Sequence, residues 1–338
     1  MIEASGLART FTTKHGTVEA VRGVDLSVAP GEIVGFLGPN GAGKSTTLRM
    51  LTTLLAPTAG AAVVAGHDLR ADPAGVRRRI GYVAQGGGTD PAVPAAEELD
   101  LQARLYGVDD PAGRIAGLCA RLDLEGLADR PCGALSGGQR RRLDIALGLV
   151  HGPPLVFLDE PTTGLDPQSR GNLWDHIRRM RAEDGTTVFL TTHYLDEADA
   201  LCDRILIIDH GRIVAEGTPA ELKRRVSGDV VTLTLAGAPL GLPAGAADMA
   251  AEAEAAGAVG GDAVARARAA LSRHPAVREA TVTGGTLRLT VDDGDQALMG
   301  LVRALDAAGV ELESLHLARP SLDDVFLTVT GRSLRDAA

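Results

Sequence analysis

Cysteine is nearly absent. The 338 residues hold three, Cys119, Cys132 and Cys202, scattered and without a C-x-x-C pair. That excludes a disulfide framework and a cysteine metal site, and leaves reduced, buried thiols. Basic charge is in deficit: 34 Lys and Arg stand against 44 Asp and Glu, a net charge of −10. An extended nucleic-acid surface is therefore not expected. No apolar run approaches the roughly 18 residues that a membrane span needs. Met1 to Gly6 carries neither a basic flank nor an apolar core, so no signal peptide is expected. These absences point to a cytosolic chain, long enough for two domains.

What is present is concentrated in short motifs. Ile33, Val34, Phe36 and Leu37 form an apolar run typical of a buried strand. Gly38, Pro39, Asn40, Gly41, Ala42, Gly43, Lys44, Ser45 and Thr46 follow. Glycines at these places let backbone N–H groups turn inward on an anion. Lys44 supplies a point charge for β- and γ-phosphates, and the Ser45 hydroxyl is a hard oxygen suited to Mg²⁺. Thr46 to Leu51 reads as a helix with its N-terminus on the phosphates.

A second run, Leu155 to Leu158, is wholly apolar and ends in Asp159 and Glu160. Such a run fits the centre of a parallel sheet, and its acids emerge at the edge where open α/β sheets hold ligands. Asp159 is placed to hold Mg²⁺, directly or through water, and Glu160 to polarise an attacking water. Pro161 and Gly164-Leu165-Asp166-Pro167 then break the chain. Between the two runs lies Leu135-Ser136-Gly137-Gly138-Gln139. Arg140 to Val150 continues it as a helix, with Leu143, Ile145, Ala146, Leu147 and Leu149 inward and Arg140, Arg141 and Arg142 on an exposed turn. Arg77, Arg78 and Arg79 read as a solvated face of a short helix. Glu97 to Tyr106 and Gly113 to Leu122 carry helical spacing.

Over residues 2 to 220 the chain resembles the ATP-binding cassette (ABC) family. Gly38 to Thr46 is similar to its Walker A loop, Leu155 to Glu160 to Walker B with the catalytic glutamate, and Leu135 to Gln139 to its signature. Gln85 resembles the Q-loop glutamine, which senses Mg²⁺ and the membrane partner. Asp166 resembles the D-loop aspartate, and His193 the switch histidine on the γ-phosphate. The resemblance implies ATP and Mg²⁺, with Ser45, Gln85 and Asp159 at the metal. It implies a homodimer that sandwiches ATP, each copy lending its signature to the other's loop. It also implies an aromatic on the adenine. Phe11 is the candidate, with His15 the alternative, because Thr12 to His15 looks like a small insertion.

The implied fold class is α/β: an ABC-type P-loop nucleotide-binding domain (1–228) with a helical subdomain at about 86–150. The remainder, 229–338, reads as a small α+β accessory domain. Its elements are a strand (Val230–Leu235), an Ala/Gly-rich insert (236–261), a helix (Asp262–Arg273), strands at Val277–Thr283 and Thr286–Val291 joined by Gly284-Gly285, a helix (Asp295–Ala308) and a strand (Val310–Leu317). That order, β-α-β-β-α-β, is ferredoxin-like. The closing segment, Arg319 to Gly331, resembles the tail of daunorubicin-resistance type ABC exporter subunits. The resemblance implies an ATPase that drives export of a drug-like or other small hydrophobic compound through a separate membrane-spanning permease subunit. Its place is the cytoplasm, peripheral on the inner face of the cell membrane. The alternative is a soluble ABC ATPase acting on ribosomes or DNA.

Overall fold

The computed structural model describes residues 1–14, 16–226, 228–235, 263–283 and 286–331. They form two compact units, Met1–Pro219 with 329–331, and Ala220–Thr328.

The first unit begins with strands β1 (Ile2–Thr13), β2 (Gly16–Val28) and β3 (Ile33–Leu37), then helix α1 (Lys44–Leu51), β4 (Ala59–Val64), β5 (His67–Asp68), α2 (Pro73–Arg79) and β6 (Ile80–Val83). Helices α3 (Ala95–Leu105), α4 (Pro111–Arg121) and α5 (Gly137–Leu149) follow. It closes with β7 (Leu155–Asp159), α6 (Pro167–Asp184), β8 (Thr187–Thr192), α7 (Leu195–Leu201), β9 (Arg204–Asp209) and β10 (Arg212–Gly217). An antiparallel sheet has the order β2-β1-β4-β5. The larger sheet has the order β10-β9-β3-β8-β7-β6, parallel except for β10 at its edge.

Every residue of β3, β7 and β8 is buried. A parallel sheet covered on both faces requires such unbroken apolar runs. Phe36, Phe157 and Phe189 fill its middle, with ring centroids 5.6 and 5.7 Å apart. Burying each ring is worth roughly 2–3 kcal/mol. Ile2, Leu7 and Val24 of the antiparallel sheet join the same core.

This topology builds the site. In the parallel sheet Leu37 pairs with Thr192, Asp159 with Thr191, and Val83 with Leu158. The segments that follow β3, β6, β7 and β8 therefore leave from one edge. They carry Lys44, Gln85, Glu160 and His193. Helix α5 crosses behind β6 at close range: a Cβ on Gly81 would lie 2.2 Å from the Gly148 carbonyl oxygen. Helices α3 and α4 form where spacing placed them. Asp110 caps α4 by accepting from the Gly113 N–H at 3.0 Å.

Thr12 and Thr13 are paired strand residues of the β1–β2 hairpin, with Thr13 opposite Gly16. His15 lies outside the described residues. Arg77, Arg78 and Arg79 are exposed in the last turn of α2, as expected for a solvated face.

The second unit opens with α8 (Pro219–Val226) and β11 (Asp229–Leu235). A helix over 263–271, α9, precedes β12 (Val277–Thr283), β13 (Thr286–Val291), α10 (Gly294–Ala307), β14 (Leu312–Ala318) and α11 (Leu322–Thr330). The strand order is β12-β13-β11-β14 with every neighbour antiparallel, the ferredoxin-like arrangement. Val231, Leu233, Leu287 and Leu289 pack with Leu271, Leu301 and Leu305 of the helices. In α11 Leu322, Val325 and Phe326 are buried. The Ala/Gly-rich insert 236–261 and the Gly284-Gly285 turn lie outside the described residues. Among the described residues no helix is long and apolar enough to cross a membrane.

Candidate nucleotide site

The loop between β3 and α1 has a backbone that favours glycine. Gly41 and Gly43 have φ of 78° and 110°, where side chains are strained. Gly38 presses on β9: a Cβ there would sit 2.3 Å from the Ile208 carbonyl oxygen. Pro39 and Ala42 are buried, while Asn40 and Gly41 are exposed at the loop's tip. Lys44 is only 4% exposed. Its Nζ donates to the carbonyl oxygens of Gly38 at 2.7 Å and Pro39 at 3.1 Å. Burial lowers its pKa, opposed by Glu160, whose Oε1 lies 3.5 Å away.

Ser45 Oγ donates to Asp159 Oδ1 at 3.1 Å, and Thr191 Oγ1 donates to the same oxygen at 2.6 Å. Ser45 and Asp159 thus present two hard oxygens side by side, the donor type Mg²⁺ takes. Among the described residues no three His, Cys, Asp or Glu gather as a metal cage. A divalent ion here would have to complete its shell with oxygens from outside the chain.

Glu160 is the hub. Its Oε2 accepts from Gln85 Nε2 at 2.8 Å and Thr163 Oγ1 at 3.1 Å, and lies 3.3 Å from His193 Nδ1. His193, together with Lys44 and Thr163, holds its carboxyl at about 2 against the opposing effect of burial. Its backbone has φ of 45°, the left-handed region unusual outside glycine. The Glu160 N–H donates to the Thr191 carbonyl at 3.1 Å and to Thr191 Oγ1 at 3.0 Å.

The signature stands apart. Ser136 caps α5: its Oγ accepts from the Gln139 N–H at 3.3 Å while Gln139 Oε1 accepts from the Ser136 N–H at 2.9 Å. Leu135 is buried, Ser136 and Gly137 are exposed, and Gly138 and Gln139 are half-buried. Gly138 meets α6, where a Cβ would come within 3.0 Å of Ser169 Oγ. Asp166 is the cap of α6, accepting from the Ser169 N–H at 2.9 Å and from Ser169 Oγ at 2.6 Å. Phe11 is half-buried on β1, with the Arg9 guanidinium 4.7 Å over its ring. Thr46 is half-buried in the first turn of α1.

One expectation is overturned. Arg141 is not on an exposed turn of α5 but 7% exposed. Its guanidinium donates to three backbone carbonyls: Pro161 at 2.8 Å, Ala84 at 2.6 Å and Asp159 at 3.0 Å. A planar fork with several donors can be buried where it meets that many acceptors. Leu147, read as buried, is half-buried.

A family profile described as "ABC transporter" matches residues 21–163, and one described as "ATP-binding protein DrrA1-3-like, C-terminal domain" matches 217–330. The daunorubicin/doxorubicin resistance ATP-binding protein DrrA of Streptomyces peucetius is 43% identical over 99% of this chain and 94% of its own length. This chain belongs to the ABC transporter ATP-binding proteins. The Nod factor export ATP-binding protein I of Ralstonia nicotianae is 37% identical, covering 96% of this chain and 92% of its own. Among solved structures, the dimeric post-hydrolysis state of the ATP-binding cassette MJ0796, bound to ADP and Pi, aligns with a TM-score of 0.60 and 27% identity. It spans 64% of this chain and 98% of that one.

As an ABC ATPase the chain binds ATP and hydrolyses it. Sequence reasoning missed three groups that shape this ABC site. Thr191 bridges Asp159 and Glu160, Thr163 donates to Glu160, and Arg141 pins the backbone around it. Thr191 and Thr163 each sit beside a motif residue, and that adjacency was the available signal.

Proposed function

We propose that this ABC ATPase powers an exporter of drug-like or other small hydrophobic compounds, working as an ATP-bridged homodimer with a separate membrane-spanning permease. Its place is the cytoplasmic face of the cell membrane. The observation that carries the dimer is the split of the motifs. Lys44, Ser45, Asp159, Glu160, Gln85 and His193 are joined by contacts within one chain. Ser136, exposed at the start of α5, bonds Gln139 and, among the described contacts, none of those six. A helix N-terminus with free N–H groups favours an anion, and a second copy's ATP supplies one.

The chemistry follows from charge. The phosphates lie against Lys44 and the loop N–H groups. Ser45 and Asp159, with Gln85, would hold Mg²⁺, and the ion would supply charge neutralisation on the phosphate oxygens. In the free chain Glu160 is a poor base, because His193 and Lys44 hold its pKa at about 2. Once the γ-phosphate engages those two groups, Glu160 regains basicity and accepts a proton from the attacking water. The new P–O bond forms as the bond to ADP breaks. Catalysis is positioning and electrostatics, as in other phosphoryl transfers.

The permease meets the cassette at a cleft of about 370 Å³ lined by Tyr82, Ala84, Gly87, Gln102 and Asp144, next to Gln85. Resistance and export appear in relatives' names that differ in cargo, so cargo choice belongs to the membrane subunit. The dimer is tested by mixing Lys44→Ala and Ser136→Arg chains. One of the two composite sites is then intact, and ATPase activity exceeds that of either parent. A mixture as inactive as its parents refutes the two-chain site.

A further inference from the structure

Arg141 occupies an unusual place. It comes from α5, the helix that begins at the signature, yet its three nitrogens all end on the backbone of other segments. Nε and Nη2 bond the carbonyls of Pro161 and Asp159, the residues on either side of Glu160. Nη1 bonds the carbonyl of Ala84, the residue before Gln85. Asp144 Oδ2, 3.9 Å away on the same helix, balances the charge.

Two facts about Glu160 need an explanation of this kind. Its φ of 45° is strained for a residue with a Cβ, and such strain persists only where the surroundings over-determine it. Its side chain also meets that of Gln85 at 2.8 Å although the two lie 75 positions apart. Arg141 addresses both. Fixing the peptide on each side of Glu160 leaves the backbone no room to relax out of the left-handed region. Fixing Ala84 from the same planar group sets the spacing between the Gln85 and Glu160 backbones.

We propose that Arg141 is a positioning residue for hydrolysis: its guanidinium holds Glu160 and Gln85 in register and ties both to the signature helix. The inference rests on the reading of Glu160 as the base. Arg141 acts through that base, its guanidinium ending on the carbonyls of Pro161, Ala84 and Asp159, so its removal changes turnover and not nucleotide affinity.

The test is Arg141→Lys, which keeps the charge beside Asp144 but cannot reproduce a three-way planar fork. Steady-state ATPase kinetics, affinity for a fluorescent ATP analogue and thermal stability are measured, in the wild-type background and with Glu160→Gln. A misplacement of the base by a fraction of an ångström to 1 Å lowers kcat by about tenfold to a hundredfold. Affinity stays within about twofold, and in the Glu160→Gln background the added loss shrinks to about twofold or less, as expected for groups that act as a unit. A wild-type kcat in Arg141→Lys overturns the proposal. So does a parallel loss of ATP affinity, an undiminished loss in the Glu160→Gln background, or failure of Arg141→Lys to fold, which assigns the residue to the scaffold alone. If Glu160→Gln by itself leaves turnover unchanged, the base reading fails. If Glu160→Gln slows hydrolysis while Arg141→Lys does not, only the present inference fails.

Discussion

Replacing Glu160 by glutamine separates binding from chemistry. The amide keeps the shape of the carboxylate and an oxygen to face Gln85 and Thr163, which now donate to Oε2 at 2.8 and 3.1 Å. It loses the charge opposite Lys44 and the capacity to take a proton. Losing a general base costs roughly 10²–10⁴ in rate, so kcat falls by that order. ATP affinity holds or improves, because an anion is removed from beside the phosphates' cation. The free chain pays in stability: a carboxyl held at about 2 instead of 4.5 stores on the order of 3 kcal/mol at about 1.4 kcal/mol per unit. A depressed carboxylate stabilises the fold above its unfolded value and loses that contribution as pH falls. The wild-type chain therefore loses this stability between pH 4.5 and about 2, and Glu160→Gln lacks that component of the acid transition. The assays are phosphate release, titration with a fluorescent ATP analogue, and nucleotide-free melting across pH. Unchanged turnover refutes the base. Lost ATP affinity refutes the division between binding and chemistry.

Lys44→Ala removes the buried ammonium that faces the loop carbonyls and Glu160, so ATP affinity falls by at least tenfold, as expected for a charge-assisted phosphate contact; equilibrium titration checks it, and normal affinity contradicts the loop's role. Truncation before Arg319 removes the buried Leu322, Val325 and Phe326, so assembly with the permease weakens while ATP affinity stays within about twofold, the second unit holding no phosphate signature. Co-purification measured alongside ATP affinity decides it, and loss of affinity with intact assembly refutes it.

The larger sheet was legible because burial on both faces demands apolar runs, and Ile33–Leu37 and Leu155–Leu158 are such runs. The turn after β3 was legible because its backbone needs glycine at positions such as Gly43. The accessory unit was legible as the element order β-α-β-β-α-β, since alternation along Val231, Leu233 and Leu235 marks one buried face. Other features depend on distant partners. Asp166 reads as a D-loop residue, while its side chain caps α6 through Ser169, three positions on. Thr12 and Thr13 read as an insertion, and only the pairing with β2 shows that they extend the hairpin.

Arg141 marks the border between what was missed and what was hidden. Three successive arginines look alike in composition, and a charged run reads as a solvated face. Helical spacing breaks the tie. Position 141 shares a face with 144, 145 and 148, and Asp144, Ile145 and Gly148 are all buried. Its neighbours Arg140 and Arg142 turn away and are only half-buried. The helix period thus singles out Arg141 once Ile145 is taken as inward. The three acceptors of its guanidinium were beyond reach of the sequence: the Ala84, Asp159 and Pro161 carbonyls belong to other segments. Only the parallel pairing of β6 with β7 brings those segments together beneath α5.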